Sequence, residues 1–127
     1  MADRTVLVVE DDQLQSELTS EILGSEGFTV VEASTLREVT AALDRSKPQW
    51  LIVDFNLEGW DGLSAIQAVR AVCDSGLRVI ALSGWPWSDA RLRGFMEAAD
   101  HCLQKPVDWD ELLRIVRDAA TPRVEAA

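Results

Sequence analysis

The chain has 127 residues, 47% of them hydrophobic, enough for one globular domain with a core of its own. A formal net charge of −10 leaves too little Lys and Arg to neutralise a phosphate backbone, so direct nucleic-acid binding by this chain is not expected. No apolar run is long enough to span a bilayer and no signal-peptide pattern is present. Cys73 and Cys102 form neither a CxxC nor a metal-ligand spacing, so a cytoplasmic protein with two reduced thiols is expected.

In chain order, Thr5-Val6-Leu7-Val8-Val9 is rich in β-branched residues and predicts a buried strand. It runs into Glu10-Asp11-Asp12, where Asp12 can cap a helix. In that helix Leu14, Leu18 and Ile22 recur at every fourth residue and predict the apolar face, with Gly24 and Gly27 as its stop. Phe28 to Ala33 predicts a second strand, followed by a helix capped by Ser34, carrying Leu36, Val39 and Leu43, and closed off by Pro48. Leu51-Ile52-Val53 is wholly apolar, reads as a strand of a parallel sheet, and ends on a single carboxylate, Asp54. After the loop Glu58-Gly59-Trp60-Asp61-Gly62, the positions Leu63, Ile66, Val69 and Cys73 predict a third helix.

Leu77 to Leu82 predicts a strand ending at Ser83-Gly84, and a Trp85-Pro86-Trp87 loop leads to a helix with Leu92, Phe95, Met96 and Ala99. Cys102-Leu103-Gln104 predicts a short fifth strand that ends at Lys105-Pro106. Asp108 with Glu111 three residues later is a capping-box pattern for a last helix, which uses Leu112, Ile115 and Val116. Residues 121–127 carry no pattern.

Five β-α units without repeat or linker predict a single domain over residues 1–127, its core at about 5–120. The expected fold is α/β, a doubly wound (βα)5, flavodoxin-like arrangement with five parallel strands in order 2-1-3-4-5 and right-handed crossovers. Such a sheet gathers the carboxyl ends of its strands on one edge. Glu10, Asp11, Asp54, Ser83 and Lys105 therefore become neighbours. Clustered carboxylates repel unless a cation neutralises them, and oxygen-only ligands suit Mg²⁺. No His and Cys cluster suits zinc. A carboxylate can attack phosphorus to form an acyl phosphate, while a divalent ion and a Lys neutralise the transferring group and a hydroxyl donates to it.

The segments Val8-Val9-Glu10-Asp11-Asp12, Val53-Asp54-Phe55-Asn56-Leu57, Leu82-Ser83-Gly84 and Gln104-Lys105-Pro106 resemble the four signatures of the receiver domain of bacterial two-component response regulators. The resemblance covers about residues 5–120. It implies that Asp54 takes a phosphoryl group from the phosphohistidine of a sensor histidine kinase or histidine phosphotransfer protein. It implies a Mg²⁺ site made by Glu10, Asp11, Asp54 and the backbone carbonyl of Asn56. Ser83 matches the hydroxyl residue that turns toward the phosphoryl group, Lys105 the lysine that pairs with it, and the Lys105–Pro106 bond one that is cis in the family. A protein of this kind catalyses its own aspartyl phosphorylation and dephosphorylation, with no separate turnover substrate. The modification shifts a face built from the fourth helix, fifth strand and last helix toward a downstream protein that the sequence does not name. A homodimer through the last two helices is permitted but not compelled.

Two positions depart from that pattern. Glu58 stands where the family usually has Pro, and Cys102 replaces the ring that in the family moves inward with the hydroxyl residue. They motivate an alternative reading, a pseudo-receiver interaction module acting without phosphorylation. An enzyme is the third: an aspartyl phosphatase wants a second carboxylate where Asn56 stands, and no glycine-rich cradle supports a flavin or nucleotide. Trp60, Trp85 and Trp87 read first as packing aromatics and second as a contact surface for a kinase or phosphotransfer helix. Trp85, two residues after Ser83, is expected to restrict water at the phosphoryl group and lengthen the phosphorylated lifetime. His101, the only histidine, is expected to be structural, and Trp50 and Trp109 to lie in the core or at element boundaries.

Overall fold

Strand-forming runs alternate with helical ones along the whole chain, and the computed structural model, which describes residues 4–73 and 76–120, orders them accordingly. The elements are β1 (Thr5–Val9), α1 (Gln13–Ser25), β2 (Thr29–Ala33), α2 (Leu36–Arg45), β3 (Trp50–Asp54), β4 (Asn56–Leu57), β5 (Trp60–Asp61), α3 (Gly62–Arg70), β6 (Arg78–Ser83), α4 (Arg93–Ala98, entered through a 3₁₀ turn at Ala90–Leu92), β7 (His101–Gln104) and α5 (Trp109–Ala120). The main sheet is parallel in the order β2-β1-β3-β6-β7. This is the expected flavodoxin-like order once the antiparallel two-residue ribbon β4–β5 is set aside.

Alternation along each strand sends neighbouring side chains to opposite faces. Leu7, Val9, Leu51, Val53, Val79 and Ala81 join Val39, Leu43, Ile66, Val69 and Phe95 from α2, α3 and α4 on one side. Val6, Val8, Ile52, Ile80 and Leu82 join Leu23, Leu112 and Val116 from α1 and α5 on the other. Each such side chain taken from water contributes roughly 1.5–3 kcal/mol, which fixes the register of the central strands. That register places Val9 beside Val53, Asp54 beside Leu82 and Ser83 beside Gln104, so the carboxyl ends are level.

Several expectations are corrected in detail. Leu14 and Leu18 are exposed at 67% and 41%, and the face of α1 turned to the sheet is Ser16, Thr19 and Leu23. The two small polar residues lie inward because their hydroxyls are paired: Ser16 donates to Glu32 Oε1 at 2.7 Å and Thr19 to the Gln15 carbonyl at 2.9 Å. Gly24 lies within α1, and the chain turns instead at Gly27, whose φ of +93° suits glycine. The cap of α2 is Thr35 and not Ser34: Thr35 Oγ1 accepts from the Glu38 amide at 3.1 Å, while Glu38 accepts from the Ser34 amide and hydroxyl. Leu36 is exposed, whereas Val39 and Leu43 are buried as expected. α3 ends at Arg70, so Cys73 lies beyond it yet still packs against the core. In α4 Phe95 is buried, Met96 is exposed, and Ala99 caps the end.

Asp12 and Asp108 cap as expected, the first accepting from the Gln15 amide and the second from the amides of Asp110 and Glu111. Trp50 is buried in the core and Trp109 is half-buried. The patternless stretch 121–127 lies outside the described residues. Among the described residues no helix is long and apolar enough to cross a membrane.

Candidate functional site

Three strands deliver charged side chains to one point. Glu10 follows β1 and Asp54 ends β3; both are buried. Lys105 follows β7, its amide anchored to the Ser83 carbonyl at 2.8 Å, and the Lys105–Pro106 bond is cis. From there the Lys105 ammonium donates to Asp54 Oδ2 at 2.8 Å and to Glu10 Oε1 at 3.2 Å. The second oxygen of Glu10 accepts from the Asp12 amide at 3.3 Å.

Burial, and next the charge of Asp54, push the Glu10 carboxyl up from 4.5 to about 7, against the opposing pull of Lys105. Burial also works against the Lys105 ammonium, but its bonds and charge attraction to Asp54 and Glu10 outweigh it and hold Lys105 above the ordinary lysine range. Two buried carboxylates thus share one cation, which leaves the site anionic. Asp11 is exposed at the rim, beside a cleft of about 180 Å³ lined also by Glu10, Gln13, Ser16, Glu32, Ser34 and Glu38. Its Oδ2 accepts the backbone N–H of Glu58. A Pro at 58 has no N–H to give, so this departure from the family pattern links the loop after β1 to the loop after β3.

Among the described residues no three carboxylate, His or Cys side chains converge as a ready-made metal cage. Mg²⁺ does not require one, because it takes one or two carboxylates and completes its shell with water and phosphate oxygens. The donor set here, hard oxygens with surplus negative charge, fits that ion. Asn56 opens the β4–β5 ribbon two residues after Asp54.

Ser83 is fully buried at the same edge, but its hydroxyl is engaged elsewhere. Ser83 Oγ accepts from the Trp85 amide at 2.9 Å and donates to the Trp85 carbonyl at 3.2 Å. Gln104 Nε2 donates to the same carbonyl at 2.7 Å. Sequence reasoning passed over Gln104, since a glutamine at the end of a short strand carries no signal. The Trp85 ring is partly exposed and lies under the Arg91 guanidinium, 4.0 Å from the ring centre. Arg91 in turn grips Asp89 with two bonds, at 3.1 and 2.8 Å, and these hold the Asp89 carboxyl down at about 2.

The other tryptophans of this edge fit the packing reading. Trp60 donates from its indole to the Ser34 carbonyl at 3.3 Å. Trp87 stacks on Phe95 at 6.1 Å, and Phe95 meets Phe55, the residue after Asp54, at 5.2 Å. Cys102 is half-buried against the core and burial pushes its thiol up. His101 is half-buried with its ring 6.2 Å from that of Trp50, a structural placement.

Comparison with known proteins bears on this geometry. A family model described as the response regulator receiver domain matches residues 6–117. The chain is 31% identical over 118 residues to an uncharacterized 14.6 kDa protein of Leptolyngbya boryana, covering 92% of this chain and 90% of that one. It is 28% identical to the probable transcriptional regulatory protein TcrX of Mycobacterium tuberculosis, where the match takes in 89% of this chain and 48% of TcrX. The chain thus spans about half the length of that regulator. Among solved structures it is similar to the receiver domain of sensor histidine kinase PA1611 from Pseudomonas aeruginosa PAO1, with a magnesium ion coordinated in its active site cleft. That likeness has 25% identity and a TM-score of 0.77 over 92% of this chain and 97% of the other.

Proposed function

Because the chain belongs to the response regulator receiver domain family, we propose that it is a phosphoryl-accepting signalling switch whose acceptor is Asp54. A carboxylate oxygen of Asp54 attacks the phosphorus of a partner's phosphohistidine. The new O–P bond forms as the P–N bond breaks, and the imidazole leaves with the electron pair and takes up a proton. The partner is a sensor histidine kinase or a histidine phosphotransfer protein, and the setting is the cytoplasm.

Lys105 holds Asp54 in place before transfer and faces the new phosphoryl charge after it. Glu10, Asp11, Asp54 and the Asn56 carbonyl are the groups that would hold Mg²⁺, which would supply neutralisation of charge on the phosphoryl oxygens. Ser83 donates to a phosphoryl oxygen once its hydroxyl leaves Trp85. Trp85 limits the access of water to the acyl phosphate. The observation that supports this reading most is the shared ammonium: Lys105 lies 2.8 Å from Asp54 in a pocket with one carboxylate more than it can neutralise.

The test is to incubate the protein with Mg²⁺ and acetyl phosphate and to weigh it intact beside Asp54→Asn. A phosphate-sized gain that the variant lacks is the expected result. No gain in the wild-type chain would leave it an interaction module acting without phosphorylation, and continuous consumption of the donor would make it a phosphatase.

A further inference from the structure

Lys105 and Gln104 are consecutive at the end of β7, so their side chains leave the strand on opposite sides. Lys105 reaches the Asp54 and Glu10 carboxylates, while Gln104 reaches the turn that follows β6. In that turn the Ser83 carbonyl accepts from the Lys105 amide at 2.8 Å and at longer range from Gln104 Nε2 at 3.4 Å, which keeps the Ser83 main chain in place and leaves its side chain as the part that can rotate. Among the described residues the hydroxyl is held by the backbone of Trp85, through bonds of 2.9 and 3.2 Å. Trp85 is held from two other directions: its carbonyl by Gln104 at 2.7 Å and its ring by Arg91, 4.0 Å from the centroid. Between Ser83 and Trp85 stands Gly84, with open space where a side chain would be, so the turn has room to open.

We infer that Gln104 is a positioning residue for phosphoryl acceptance: by gripping the Trp85 carbonyl it keeps the Ser83–Trp85 turn closed and the Ser83 hydroxyl away from Asp54. This rests on the reading of Asp54 as the acceptor. The closed and open turns are two populations, and a group that bonds only the closed one lowers the fraction competent to receive the phosphoryl group. The Gln104 bond is the shorter of the two to that carbonyl and it is neutral. Losing it therefore shifts the balance by about two- to tenfold toward the open turn.

The experiment compares the full chain with Gln104→Leu (similar size, no donor), Gln104→Glu (same shape, acceptors only) and Gln104→Lys (a donor restored). Gln104 is exposed, so these variants keep the core intact. Two quantities are read: the rate of phosphate uptake at limiting acetyl phosphate with Mg²⁺, by intact mass, and the hydrogen-exchange rate of the Trp85 amide without donor. The Leu and Glu variants should take up phosphate about two- to tenfold faster and exchange the Trp85 amide faster, with the Lys variant close to wild type. A wild-type chain that gains phosphate at Asp54, with Leu and Glu variants that match it or are slower, overturns the role of Gln104 and leaves the acceptor reading standing. A wild-type chain that gains no phosphate overturns the acceptor reading itself.

Discussion

Lys105 Nζ sits 2.8 Å from Asp54 Oδ2 and 3.2 Å from Glu10 Oε1, so a single ammonium serves two buried carboxylates brought in by two other strands. Removing one member of such a set leaves charge without compensation, which costs more than the intact set contributes. Lys105→Met should therefore lower stability by roughly 2–4 kcal/mol at about pH 8. The loss should shrink at about pH 5, where Glu10 can take a proton. Urea unfolding at the two pH values measures this; an equal loss at both would mean that the lysine stem's packing, rather than its charge, was the important part.

The same set dictates a pH dependence for the metal-free protein. Glu10 binds a proton up to about 7 in the folded chain, while its ordinary value is 4.5. Between those values the folded state holds more protons than the unfolded one, so stability falls as pH rises through this window and levels off above it. With EDTA present, wild type should lose on the order of 2–3 kcal/mol from this group relative to Glu10→Gln between about pH 4.5 and 7. Chemical denaturation at intervals across the window tests the sign. A wild-type curve that rises relative to the variant contradicts it.

The parts of this molecule that sequence made legible are those set by long-range topology. Asp54 ends a strand and Glu10 and Lys105 each directly follow one, and a parallel sheet gathers these ends on one edge. Faces of helices were less legible: the leucines at 14 and 18 suggested the wrong side of α1, because hydroxyls that bond within reach let Ser16 and Thr19 pack inward. Backbone-mediated links were not legible at all. Nothing in residue identity reveals that the Ser83 hydroxyl faces Trp85 or that Gln104 grips the same carbonyl. The Asp11–Glu58 link belongs with these: residue identity shows that Glu58 has an N–H where Pro would have none, but not that it donates to Asp11.

Two glycines in helices should respond in opposite directions to the same change. A Cβ on Gly62 would stand 2.5 Å from Phe95 Cε1 and 2.6 Å from the Asp54 carbonyl oxygen, and the second neighbour is backbone that cannot yield cheaply. Gly62→Ala should cost about 2–3 kcal/mol and displace Asp54. Gly24 lies within α1 with nothing in the way, so Gly24→Ala should gain up to about 1 kcal/mol. Thermal melts of the two variants beside wild type decide the matter, and a destabilised Gly24→Ala would contradict the space assigned around it.

Trp85 offers the prediction closest to function. The residue is 38% exposed, its ring is clamped by Arg91, and its backbone bonds the buried Ser83 hydroxyl. On the proposed reading of Asp54 as acceptor, a bulky ring at this edge would keep out the water that hydrolyses the acyl phosphate. Trp85→Ala should shorten the half-life of the phosphorylated protein severalfold, Trp85→Phe should retain most of it, and Arg91→Ala should fall between, since it frees the ring without deleting it. The measurement is the decay of the phosphate-sized mass after the donor is removed by rapid desalting. Because Ala keeps the backbone N–H and carbonyl that hold Ser83 and Gln104, the turn itself survives the substitution. A change in half-life therefore reports on the ring. An unchanged half-life in Trp85→Ala would reduce Trp85 to a packing residue and remove water exclusion from its role.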